Sequence, residues 1–151
     1  MTKLSPHFTL EELCRTSKPF PNLPYGAEVS ALRLLCERVL EPIRAHYGKP
    51  VRINSGYRSL QVNRAVGSKD TSQHRKGEAA DIEIDGVTNA DLARWIRDNL
   101  LFDQVILEAY RAGIPNSGWV HVSFRAGRAR KSVLTMTMGS HGAVYSNGIN
   151  A

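Results

Sequence analysis

His74 and Asp81 lie seven residues apart with Gly77 between them to permit a turn, and His121 follows further along the chain. Two imidazoles and one carboxylate make up the donor set of a catalytic zinc site, where three protein ligands leave one position for water. Zinc draws the pKa of that water towards about 7 and polarises a carbonyl placed beside it. A carboxylate near the water then acts as general base, and Glu108 has the placement for it. On spacing alone, the same residues equally suit a hydrogen-bonded His–Asp pair in a polar turn. His7, His46 and His141 are also available as ligands.

The segments carrying these residues alternate, as half-buried strands do. Ala80, Ile82 and Ile84 oppose Ala79, Asp81, Glu83 and Asp85. Val105 and Leu107 oppose Gln104, Ile106 and Glu108, while Val120, Val122 and Phe124 oppose Trp119, His121 and Ser123. If the apolar rows pack on helices, Asp81, Glu108 and His121 converge on the other face of one sheet. The first half reads mainly as helix. Thr9 with Glu12 forms a capping box, and Val29, Leu32, Leu35, Cys36, Val39, Leu40 and Ile43 make one apolar stripe. Pro42 predicts a kink in that helix and Gly48 its end, and Lys18 to Gly26, with three prolines, reads as a loop. A short strand is expected at Val51 to Ile53, a helix from Ser59 to Val66, and another opening at Thr88. The class is α+β: a small antiparallel or mixed sheet with helices packed on one face.

The chain has 151 residues, a net charge of +6 and 42% hydrophobic content, which predicts one globular domain over 1–151 and argues against disorder. No apolar run approaches the ~18 residues of a membrane span, so no membrane insertion is expected. The opening MTKLSPHFTLEELC lacks the apolar core of a secretory signal, so the chain is expected to fold in the cytoplasm and act after release. Cys14 and Cys36 are in no metal-binding spacing and are expected to be free thiols. Arg125, Arg128, Arg130 and Lys131 form a basic run that reads as a solvated strand or turn, attracted to anionic polymers. Without an aromatic-interleaved platform, it is not a nucleic-acid surface.

Three stretches carry more. SGYRS at 55–59, SQHRKGEAADI at 72–82 and GWVHVSF at 118–124 resemble the zinc D-Ala-D-Ala carboxypeptidase family, which belongs with the lysostaphin and hedgehog amino-terminal domains in a broader group. Ser72, His74, Gly77, Ala79 and Asp81 satisfy every position of its S-x-H-x-x-G-x-A-x-D pattern, and the resemblance runs from Leu4 to about Gly148. It implies that His74, Asp81 and His121 hold one Zn2+, with Arg58 beside the metal gripping a substrate carbonyl or carboxylate. Ser72 would hydrogen-bond substrate or orient its loop. Trp119 would stack on substrate or pack at the cleft edge, and Gln104, of the same parity as Glu108, would line the cleft. Many relatives place an acid three residues before the last histidine, where this chain has Gly118. Glu108 is then the catalytic carboxylate, brought to the His121 strand by a hairpin.

The implied function is hydrolysis of peptidoglycan peptide stems by a monomeric, wall-lytic enzyme of the D-Ala-D-Ala carboxypeptidase or L-Ala-D-Glu endopeptidase type, as in phage endolysins. The rival is a catalytically silent zinc-binding module of the hedgehog type, an idea to which Gly118 gives some footing.

Overall fold

The computed structural model describes residues 2–151. A two-stranded ribbon, β1 (Lys3–Ser5) and β2 (Phe8–Thr9), leads into the short helix α1 (Leu10–Leu13). The Thr9 hydroxyl caps that helix, accepting the Glu12 N–H at 3.2 Å. The expected apolar stripe follows as α2 (Gly26–Leu35), a π-helical segment Cys36–Leu40, and α3 (Glu41–Tyr47). Pro42 produces no break, because it occupies the first turn of α3 directly after the π segment. The widened turn takes up the missing proline N–H and the ring's bulk. Gly48, left-handed at φ +63°, ends the helix as anticipated.

Six strands form the main sheet in the order β3 (Arg52–Ser55), β4 (Ala79–Glu83), β6 (Trp119–Ser123), β5 (Gln104–Glu108), β7 (Ser132–Gly139) and β8 (Gly142–Asn147). All neighbours are antiparallel except β5 and β7, so the sheet is mixed. The class is α+β, as the alternation and helical stripes predict. Helix α4 (Leu60–Ala65) and a 3-10 turn (Gln73–Lys76) lie between β3 and β4, and α5 (Asn89–Asn99) between β4 and β5.

One sheet face carries Ala80, Ile82, Val105, Leu107, Val120 and Val122, all fully buried with Leu32, Val39 and Ile43 of the long helix and Leu92 and Ile96 of α5. Each such valine, leucine or isoleucine side chain contributes roughly 1.5–3 kcal/mol of burial free energy, so this face fastens the sheet to the helices. The opposite face is not open to solvent along β4, where Asp81 is only 8% exposed. The β3–β4 connection covers it, bringing His74 onto that side. Cys14 and Cys36 are free thiols. No helix among the described residues is long and apolar enough to cross a membrane.

Candidate metal centre

Strand register assembles most of the site. Asp81 of β4 pairs directly with His121 of β6, and Ile106 of β5 pairs with His121 on its other side. Residues opposite one another share a face, so the Asp81 carboxylate and the His121 ring point the same way. His74 arrives from the 3-10 turn, which Ser72 caps: its hydroxyl accepts the His74 N–H at 3.2 Å. The turn closes on Gly77 at φ +72°, where a Cβ would come within 2.5 Å of the Glu28 carbonyl oxygen of α2. Gly77 is therefore required twice, for its conformation and for the close approach of the turn to the helix.

The three donors meet. His74 Nε2 and His121 Nδ1 lie 3.4 and 3.3 Å from the same Asp81 oxygen, Oδ1, and all three ligand atoms fall within 4.8 Å of one another. It is the one such cluster of metal-ligating side chains among the described residues. All three residues are buried. Burial pushes the Asp81 carboxyl up, but the two imidazoles more than reverse this and hold it well below the usual carboxylate range. It is therefore an anion, as a ligand must be.

The outward nitrogen of each imidazole is anchored. His74 Nδ1 donates to the Gly56 carbonyl at 2.8 Å, which leaves Nε2 to face Asp81. His121 Nε2 lies 3.1 Å from Gln73 Oε1. The Gln73 amide can point only that way, because its Nε2 donates to Asp103 at 2.8 Å. His121 is thus protonated on Nε2 and presents Nδ1 to the cluster. Two rings held by their outer nitrogens, an ionised carboxylate and three converging donor atoms fit a divalent zinc ion of His, His, Asp ligation.

Comparison with known families decides the class. The chain matches the Peptidase M15 family over residues 6–123. It belongs to the M15 peptidase family. The resemblance carried by Ser72 to Ile82 and by Gly118 to Phe124 is therefore borne out, and with it a metallopeptidase built around a His–Asp–His site. No curated protein matches the chain.

The remaining residues of this M15 peptidase fall on different sides of the cluster. Arg58 donates from Nη2 to Asp81 Oδ2 at 3.3 Å and from Nε to Ser55 at 3.0 Å. Its backbone N–H is tied to the His74 carbonyl at 3.0 Å. Burial pulls its guanidinium below the ordinary arginine value, against upward pulls from Asp81 and Glu108. Glu108 ends β5, directly opposite Trp119, and is half-buried. Its carboxyl is raised above the usual glutamate value chiefly by burial, with His121, Asp81 and Arg58 all close enough to act on it. Ser72, Gln104 and His121 line a cleft of about 900 Å3, whose walls do not include Trp119.

Gly118 has a structural explanation. It sits at φ +70°, and a Cβ there would collide with the Glu108 backbone carbonyl. The β5–β6 corner leaves no room for an acid at 118, and it holds Glu108 in place instead. Asn89, buried at the start of α5, donates to the Gly118 carbonyl at 2.9 Å and so pins the same corner. Ala109, at φ +50°, turns the chain immediately after Glu108 at some cost in strain.

Sequence reasoning missed Gln73, Asn22 and Asp103. Asn22, in the proline-rich loop, donates to the Cys14 and Tyr57 carbonyls at 2.7 and 2.9 Å and accepts the Ser59 N–H at 2.6 Å, tying down the SGYRS segment beside the site. The basic run is not simply solvated: Arg128 and Arg130 both bind the buried Asp103 carboxylate, whose other contact is Gln73. The signal for Gln73 was its place inside S-x-H, next to a metal ligand.

Proposed function

We propose that this M15 peptidase is a zinc enzyme that hydrolyses the peptide stem of bacterial peptidoglycan, either as a D-Ala-D-Ala carboxypeptidase or as an L-Ala-D-Glu endopeptidase. The observation that carries the reading is the convergence of His74, Asp81 and His121 with Glu108 in electrostatic reach of two of them. When bound, zinc would supply a Lewis acid for the scissile carbonyl and acidify the attacking water.

The chain's own groups would do the rest. Glu108, whose carboxyl burial raises above the ordinary glutamate value, accepts the proton of the attacking water and passes it to the leaving amine. Arg58, whose fork reaches Asp81, stabilises negative charge developing on the carbonyl oxygen. His74, Asp81 and His121 hold the metal, with Gly56 and Gln73 fixing the two rings. Ser72 and Gln104 contribute to substrate binding along the cleft they line.

The test is mass spectrometry of purified peptidoglycan after incubation with zinc-loaded protein, with a chelator control. Chelator-sensitive loss of D-Ala identifies the carboxypeptidase, and new L-Ala and D-Glu ends identify the endopeptidase. An unchanged fragment pattern with zinc bound would replace the reading with a silent zinc-binding module of the hedgehog type.

A further inference from the structure

Arg128 and Arg130 are held side by side by one carboxylate. Each sets Nε and Nη2 against the two oxygens of Asp103, at 3.1 and 3.2 Å for Arg128 and at 2.8 and 2.9 Å for Arg130. Asp103 is fully buried, whereas the two arginine side chains remain 44% and 45% exposed. Among the described residues, neither Nη1 group donates a hydrogen bond to protein, so one edge of each fork is free. Two guanidinium groups on one carboxylate leave a net positive charge. That charge stands on the wall of the cleft that His121 also lines. Lys69, Lys76 and Arg125 line the same cleft, and its one wall carboxylate, Glu78, already faces Arg125 at 3.9 Å. A volume of about 900 Å3 is that of a ligand site, within the usual ~300–1,000 Å3.

We propose that Arg128 and Arg130 form an anion-binding subsite that takes a carboxylate of the peptide substrate on the His121 side of the scissile bond. The proposal rests on the peptidase reading above and adds a substrate class: stem peptides whose neighbouring carboxyl group is free, not amidated. Planar guanidinium forks match a carboxylate in two parallel hydrogen bonds. Asp103 orders both forks in advance, so substrate binding need not bear that entropic cost. A substrate carboxylate would also complete a balanced set of two cations and two anions. The spacing to the metal is fixed, because Asp103 binds Gln73 at 2.8 Å and Gln73 lies 3.1 Å from His121.

The experiment compares stem tetrapeptides that are identical except for one carboxyl group, free or amidated. One pair differs at the D-Glu α-carboxyl and a second pair at the carboxyl terminus. Zinc-loaded wild type is expected to prefer the free acid of one pair by about tenfold in kcat/KM, the size of one lost charge-assisted pair. Which pair shows it assigns the carboxylate. In R128Q and in R130Q the ratio should fall towards one, whatever the absolute rates. General loosening of the Asp103 and Gln73 contacts would slow both members of a pair alike and leave the ratio standing. R128K, which keeps the charge on Asp103 but not the planar fork, serves where R128Q does not fold, and should lose most of the preference. No preference in wild type, or an unchanged preference in the variants, overturns the subsite. If wild type cuts neither member of either pair, the peptidase reading falls. Calorimetric titration of the same peptides into zinc-loaded E108Q still decides the subsite, since equal affinity for acid and amide overturns it.

Discussion

Asp81 and Asp103 are both buried carboxylates whose neighbours hold them below the usual range, yet they are bonded in opposite ways. Asp103 accepts five hydrogen bonds, four from two guanidinium groups and one from Gln73, at 2.8–3.2 Å. Every lone pair that matters is occupied by good donors. Asp81 has only long contacts, at 3.3–3.4 Å, to two imidazoles and one arginine. Two of those three partners are imidazole nitrogens, each on a ring whose other nitrogen is committed to Gly56 or Gln73. An imidazole nitrogen facing a carboxylate needs a cation between them, a proton or a metal ion. A saturated carboxylate is a clamp, and an under-bonded one faced by two imidazole nitrogens is a ligand.

Exchanging each aspartate for its isosteric amide should break this contrast in two directions. Asp81→Asn is expected to weaken zinc binding more than about 100-fold, beyond the usual loss for an outer-shell change, as read by competition with a chromophoric chelator. Asp103→Asn is expected to keep stoichiometric zinc and lose about 3 kcal/mol of folding stability in urea titrations, because it discharges a buried partner of two arginines. The pH dependence sharpens that second effect. The folded-state pKa of Asp103 is depressed, first by its hydrogen bonds from Arg130, so its contribution is fully present above the unfolded value of about 3.9. It is lost as pH falls through the lower folded value. The stability gap between wild type and Asp103→Asn should therefore be constant from pH 7 to pH 5 and narrow below about pH 4. A gap that widens in acid would contradict the assignment.

Gln73 joins Asp103 to the His121 ring and gives the smallest of these effects. Gln73→Ala frees the His121 ring to adopt the wrong tautomer, and zinc affinity should fall about 10- to 100-fold. The d–d spectrum of the cobalt-substituted protein should shift as well, which a change confined to folding stability would not produce.

Much of the site was legible because strand parity is a local property. Asp81, Glu108 and His121 each sit opposite an apolar row, and the register of β4, β6 and β5 then carries them to one face. The helix stripe from Val29 to Ile43 was equally plain, since its residues recur at helical spacing and most are buried. What local pattern could not reveal depends on contacts made across the fold. Asp103 and Gln73 are 30 residues apart, and nothing near either in sequence signals the pairing. Strand β7 does alternate, with Leu134, Met136 and Met138 against Thr135 and Thr137, but its burial does not follow: Thr135 is buried beside Met136, Met138 is exposed, and β8 is largely exposed. Gly118 looked like a missing acid, and only the packing of the β5–β6 corner shows that no side chain fits there.

The central claim is that Glu108 moves the proton at a site that His74, Asp81 and His121 build. Glu108→Gln is nearly isosteric and leaves all three ligands and their anchors in place. The decisive measurement is its turnover of a cleavable stem peptide alongside its zinc content, both relative to wild type. The expected result is one equivalent of zinc with a loss of about 10²- to 10⁴-fold in kcat. Full zinc with turnover at the wild-type rate would contradict the account and move the base to another residue.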